Sequence, residues 1–202
     1  MEKRHRIFVA INLPEEVKKE LFAYSEKWPE LPAKWTAKDN LHITLEFLGD
    51  LTDVEIGEVC VIVKKVAERH SCFSLNINQI LYGPPNPPPD PKGTPATAGQ
   101  GKIPRMVWAE GQKSKELQDL KNDLEESLLE KIKFRPGGRG FVPHITLARI
   151  SEWEFRKFDL EDRPEINENI DLFFTVESIE VMGSELKRSG PVYTILESHN
   201  LK

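Results

Sequence analysis

Cysteine is scarce in this chain: Cys60 and Cys72 are the only two, and their spacing is not that of a metal site. A fold built on disulfides is thereby excluded, and both are expected to be buried, inert thiols. No run of about 18 apolar residues occurs, so no membrane-spanning helix is expected. The opening "MEKRHRIFVAINLPEE" has one short apolar stretch followed by proline and acids, and reads as a first strand rather than a signal peptide. These absences together point to the cytoplasm. Positive charge is also short, with 28 basic against 33 acidic residues and a net charge of −5. A nonspecific nucleic-acid coat is basic overall. Nucleic acid, if bound, must therefore be met at a local basic site. One stretch qualifies: "KIKFRPGGRGFVPHITLAR", Lys131 to Arg149, holds five Lys or Arg and no acid. No G-x-S-x-G nucleophile elbow is present.

What the chain does have is an ordinary globular composition, 39% apolar and 30% charged, over 202 residues. That length suits one domain or two small lobes. "RIFVAINL" (6–13) reads as a strand, rich in β-branched and aromatic residues. Pro14 opens a helix through "EEVKKELFAYSEKW". "LHITLEFLG" (41–49) alternates, with Leu41, Ile43, Leu45 and Phe47 on one face and His42, Thr44 and Glu46 on the other. Thr52 with Glu55 is a capping-box pattern that predicts a helix over 53–69. The run Val59 to Val63 within it suits a strand equally well. "FSLNINQILYG" (73–83) is a strand. Residues 84–104 hold eight prolines and form a Pro/Gly-rich loop insertion, a surface excursion or a lid.

"RMVWAEG" (105–111) is a further strand. Leu117, Leu120, Leu124, Leu128 and Ile132 then recur at helical spacing, and "PGG" (136–138) is expected to stop that helix. "FVPHITLARI" is a strand, 151–169 carries weak signals, and "LFFTVESIEVMGS" and "PVYTILES" are strands joined by a turn at Ser189–Gly190. Strand, helix, HITL strand and a strand ending in glycine thus occur twice, His42 and His144 lying 102 positions apart. A two-copy repeat implies two similar lobes about an approximate two-fold axis. Two strands would each present a His and a Thr to the cleft between them.

Metal binding suits this set poorly. Imidazole is a good ligand, threonine is not, and no carboxylate recurs, since Glu46 has Ala148 as its counterpart. In-line displacement at phosphorus suits it well. One imidazole serves as base, the other as acid, hydroxyls hold the non-bridging oxygens, and a cation adds charge stabilisation.

The two HITL motifs, "RIFVAINLP", "NLHITLEFLGD", "RMVWAEG", "FVPHITLARI" and "GPVYTIL" make the chain resemble the 2H phosphoesterases, most closely the LigT-like RNA 2′,3′-cyclic phosphodiesterases, also called 2′–5′ RNA ligases. The resemblance spans nearly the whole chain. It implies an α+β, bilobal fold over residues 1–202, with two intertwined, pseudo-two-fold lobes, mostly antiparallel sheets lining the cleft and helices outside. It implies hydrolysis of 2′,3′-cyclic phosphates to 2′-phosphates, with no cofactor and no metal. Its expected partners are RNA 3′ ends, tRNA-like, or small nucleotides, for a monomer away from membranes. His42 would be the proton donor and His144 the proton acceptor. Thr44, Thr146 and Arg149 would hold phosphate. Arg149 lies five residues after His144, so strict alternation points it away from the cleft unless the strand ends or bulges. Its counterpart Phe47 shares the parity of Leu45 and so belongs by period to the core, although in the cleft it would stack a base. The alternatives are a 2′–5′ oligonucleotide phosphodiesterase and a non-catalytic nucleotide-binding module.

Overall fold

In the computed structural model, residues 3–84, 103–137, 140–188 and 190–202 are described. Apart from its ends, the insertion predicted over 84–104 lies outside them, as do Arg139 and Ser189.

The elements follow from local chemistry. Strand β1 (Arg4–Asn12) buries Ile7 to Ile11 without a break, the signature of a strand covered on both faces. Helix α1 (Glu15–Ala23) starts after Pro14, with Glu15 and Glu16 in its first turn where the macrodipole favours acids. A short strand, β2 (Ala33–Trp35), precedes β3 (His42–Thr52). Helix α2 (Asp53–Ala67) has the full capping box: Glu55 N–H donates to Thr52 Oγ1 (3.3 Å), and Thr52 N–H donates to the Glu55 carboxylate (2.8 Å). The ambiguous valine run is helical, with Val59, Val63 and Val66 on the buried side. Cys60 is half-buried and its thiol is pushed up to about 12 by burial, with Glu197 beside it. Cys72, expected to be buried, is exposed in the link to the next strand.

Strands β4 (Phe73–Gly83) and β5 (Met106–Gly111) come next, then α3 (Lys115–Leu129), capped by Ser114 accepting from Leu117 N–H (3.0 Å). Leu117, Leu120, Leu124 and Leu128 are buried as their spacing predicts. The helix nevertheless ends well before "PGG". Lys131 N–H and Ile132 N–H both reach Leu128 O (3.1 and 2.8 Å), which tightens the last turn and draws Ile132 into the core. Strand β6 (His144–Ile150) is followed by a one-turn helix, α4 (Glu152–Phe155). The stretch 172–184, read as a single strand, divides at Glu177 into β7 (Asn167–Val176) and β8 (Ser178–Lys187), and β9 (Gly190–Asn200) closes the chain.

These nine strands join one antiparallel sheet in the order β7-β4-β5-β6-β3-β1-β8-β9, with β2 on β6. The repeat is visible in that order, but the halves are exchanged. The last strand of the first copy, β4, pairs with β5, while β8 of the second copy pairs with β1. The two sets of strands meet where β3 touches β6, through the pair Ile43–Ile145. Residues of α1, α2 and α3 cover the sheet on one face and make a continuous core with Ile43, Leu45, Ile145 and Leu147. The opposite face carries a small separate cluster of Phe8, Ala10 and Met182, with Tyr193 against it. None of the helices among the described residues is long and apolar enough to cross a membrane.

Two substitutions separate core from cap. Leu124→Ala should lower unfolding free energy by about 2–5 kcal/mol, the cost of truncating a buried leucine. Thr52→Ala should cost about 1 kcal/mol through the lost cap. Urea titration of the three proteins checks the order.

Candidate active site

An antiparallel pair has a local two-fold axis normal to the sheet. The axis relating the two HITL strands therefore passes between Ile43 and Ile145, whose side chains lie in the core. Extending that pairing sets His42 toward Thr146 and Thr44 toward His144. All four line one cleft, on the face away from the helices. The cleft holds about 820 Å³ of empty space, part of it open to solvent.

The fourth letter of each motif is a β-bulge. Against β1, Ala10 faces Thr44 and Val9 faces Glu46, so Leu45 is the extra residue. Against β5, Trp108 faces Thr146 and Val107 faces Ala148, so Leu147 is extra. A bulged residue reverses the alternation beyond it. Arg149 is thereby delivered to the cleft, and so is Phe47, which is 62% exposed there and not in the core where strict period placed it. The residue after each bulge turns inward instead. In the second copy this is Ala148, small and fully buried. In the first it is Glu46, 5% exposed and bonded to Lys121 Nζ of α3 (2.5 Å). Lys121 also pairs with Glu125. Burial pushes the Glu46 carboxyl above its ordinary range, and Lys121 pulls it back only in part.

Both imidazoles are held alike. His42 Nδ1 lies 2.7 Å from Asn40 O, and His144 Nδ1 lies 2.8 Å from Val142 O. A carbonyl only accepts, so each Nδ1 carries a hydrogen and each Nε2 is left to exchange a proton. Thr44 Oγ1 is 3.0 Å from His42 Nε2, and donates to it while the ring is neutral. Burial lowers the pKa of both rings; the Asn40 and Val142 carbonyls oppose this, and His144 lowers His42 further.

Their surroundings differ. His42 touches Phe8 (5.0 Å) and the edge of Tyr193 (5.2 Å), whereas His144 stacks on Trp108 at 3.7 Å and 22°. Gly83, at the end of β4, permits that stack: a Cβ there would fall 2.2 Å from the Trp108 ring.

The basic residues expected to converge do so only in part. Arg149 lines the cleft, while Arg135 borders an adjoining cavity beyond His144. Lys131 and Lys133 are exposed and line neither, because the chain leaves the helix axis before Pro136. Sequence reasoning missed Lys34 and Trp35 of β2, along with Asn40 and Tyr193. A three-residue strand has no period to recognise. Among the described residues, no group of three or more His, Cys, Asp or Glu is placed to hold a metal.

A two-copy antiparallel fold with a His and a Thr from each copy in one cleft defines the class of two-histidine phosphoesterases. The family model described as LigT like Phosphoesterase matches residues 11–92 and 107–193, and the chain belongs to that family of enzymes. A Thermus thermophilus protein named RNA 2′,3′-cyclic phosphodiesterase is 31% identical over 208 residues, covering 98% of this chain and 90% of that one. An Aquifex aeolicus protein of the same name is 27% identical, covering 85% and 84%. Among solved structures, TT0787 of Thermus thermophilus superposes with a TM-score of 0.76 at 28% identity over 97% of each chain. E. coli LigT complexed with 3′-AMP shares the fold, with a TM-score of 0.73 at 22% identity over 99% of each chain.

Gly83→Ala tests the packing beneath His144. The added methyl must displace Trp108 and tilt the imidazole resting on it. Turnover of a phosphodiester substrate should fall by about 10- to 100-fold, as for misplaced catalytic groups, with the circular dichroism spectrum unchanged.

Proposed function

We propose that the chain is a metal-independent RNA 2′,3′-cyclic phosphodiesterase that opens the cyclic phosphate at an RNA 3′ end to a 2′-phosphate. The observation that carries the reading is the matched pair of imidazoles. Each is fixed through Nδ1 on a backbone carbonyl, and both face one cleft whose described lining includes no carboxylate. The names of the relatives support it. His144 takes a proton from water as it attacks phosphorus. His42 gives a proton to the departing 3′ oxygen. Thr44 and Thr146 donate to the non-bridging oxygens, Arg149 offsets the growing charge, and Phe47 stacks the terminal base. With a 5′ hydroxyl in place of water, the same geometry forms a 2′–5′ linkage.

Protons do here what a Lewis acid does in other phosphodiesterases, so EDTA should leave the rate unchanged. His42→Ala and His144→Ala should each lower turnover by about two to four orders of magnitude. Thr44→Ala and Thr146→Ala should cost less, each removing one neutral hydrogen bond. Chromatography of a nucleoside 2′,3′-cyclic phosphate digest gives both the rate and the product isomer. Inhibition by EDTA that a divalent ion reverses would make the histidines ligands and end the reading.

The pH profile follows from the lowered imidazole pKa values. A ring whose pKa lies below the ordinary 6.5 stays neutral to lower pH. The productive state needs one ring protonated and the other neutral, and in the free enzyme it is most populated below that value. The bell of kcat/KM should therefore centre on the acid side of 6.5, with both limbs belonging to the pair. An optimum above about pH 7 would contradict a buried acid–base pair.

A further inference from the structure

The second copy of the repeat lacks a strand that the first has. In the first copy β2 (Ala33–Trp35) lies beside the end of β6, and Trp35 stacks on the buried Trp28 at 6.3 Å and 4°. At the offset of 102 the counterparts of Ala33, Lys34 and Trp35 are Arg135, Pro136 and Gly137. Proline has no N–H for a ladder, and glycine has no side chain to fill the space that Trp35 fills. Among the described residues no strand forms over 135–137, and β3 beyond Ile43 is paired only with β1.

The gap left beside β3 is a cavity of about 1610 Å³ of empty space, part of it open to solvent. Arg135, Gly137 and Phe141 line it from the chain before β6, and Gln118, Lys121 and Asn122 line it from α3. Thr44, Phe47 and His144 line both this cavity and the cleft, so the two spaces meet at the proposed base.

That meeting point gives the cavity its chemistry. The attacking oxygen lies within hydrogen-bond reach of His144, and whatever that oxygen carries must extend away from phosphorus. Around the other imidazole, Phe8 and Tyr193 crowd His42 at 5.0 and 5.2 Å. The room lies beside the base. Water needs none of it, whereas an alcohol does.

The lining suits a nucleoside. Phe141 is a half-buried aromatic ring at the cavity. Gln118 Nε2 donates to Asn122 Oδ1 (2.8 Å), which leaves Gln118 Oε1 as an acceptor and Asn122 Nδ2 as a donor side by side. An aromatic face with an adjacent donor and acceptor is how proteins hold an unpaired base.

We infer that this cavity is an acceptor subsite, which holds the 5′-terminal nucleoside of an RNA whose free 5′ hydroxyl attacks the cyclic phosphate. The inference rests on the phosphodiesterase reading and deepens it. The 5′ O–H gives its proton to His144 as its oxygen bonds to phosphorus. The bond from phosphorus to O3′ breaks, and O3′ takes a proton from His42. The product is a 2′–5′ phosphodiester, and the two imidazoles have exchanged protonation states.

The test is turnover of a nucleoside 2′,3′-cyclic phosphate with adenosine or methanol added. Chromatography separates the 2′-phosphate, the dinucleotide and the methyl ester. In the wild type, dinucleotide formation should saturate with adenosine, while methyl ester formation should rise linearly with methanol. A Cβ added at Gly137 meets no atom within 4 Å, so a side chain is accommodated there. Gly137→Phe should lower the ratio of dinucleotide to methyl ester by about tenfold, the scale on which an occluded pocket discriminates. Asn122→Ala, on the exposed side of α3, should raise the half-saturating adenosine concentration by about three- to tenfold, one hydrogen bond. Hydrolysis without an acceptor should be unchanged in both variants. The subsite is overturned if dinucleotide formation rises linearly with adenosine, or if neither ester forms while hydrolysis proceeds. It is also overturned if both variants keep the wild-type ratio and half-saturation, or if both slow hydrolysis, methanolysis and transfer equally. No turnover of the cyclic phosphate by the wild type overturns the phosphodiesterase reading, and the subsite with it.

Discussion

The contact between Ile43 and Ile145 is the constraint on which the rest of the molecule turns. It joins the strands β7-β4-β5-β6, with β2 on β6, to β3-β1-β8-β9 in one sheet, and places the symmetry axis of the repeat between two HITL strands. An antiparallel contact is symmetric by construction, so whatever one motif presents to the cleft, the other presents from the opposite side. The isoleucines face the helices and anchor the seam in the core. The His and Thr beside each then have only the other face. A single apolar contact at the seam thus brings together two polar pairs that lie far apart in sequence.

Symmetry delivers the two histidines of the proposed acid–base pair; departures from symmetry distinguish the two sides of the cleft. The bulges at Leu45 and Leu147 are equivalent, yet the residues beyond them differ. One bulge aims an aromatic ring into the cleft and the other a guanidinium, a division suited to a base and a phosphate on the same nucleotide. The inward turn has a different consequence on each side. Ala148 fits the core without compensation. Glu46 is a carboxylate taken out of water, and breaking such a pair strands a buried charge. Lys121 therefore ties α3 to the strand that carries His42 and Phe47.

Electrostatics in this protein is local. A net charge of −5 describes the whole surface, while Lys34 and Arg149 line the cleft. Screening confines exposed charges to a Debye length of about 8–10 Å. The acidic surface elsewhere therefore does little to the potential between the histidines.

The repeat, the period-two alternation through His42 to Leu45 and His144 to Leu147, the box at Thr52 and Glu55, and the leucine stripe of α3 were all legible in the linear sequence. They depend on neighbours within a few residues, where backbone geometry sets the pattern. That each copy offers a His and a Thr on one face was legible too, because the residues lie two apart on a strand. Tertiary structure alone decided the exchange of β4 and β8, the bulges that deliver Phe47 and Arg149, the tightened end of α3 before Pro136, and the meeting of Lys34 with Arg149. Each depends on which strand lies alongside. A bulge exists only relative to a partner's register, and an extra residue in one strand leaves no mark on its own sequence.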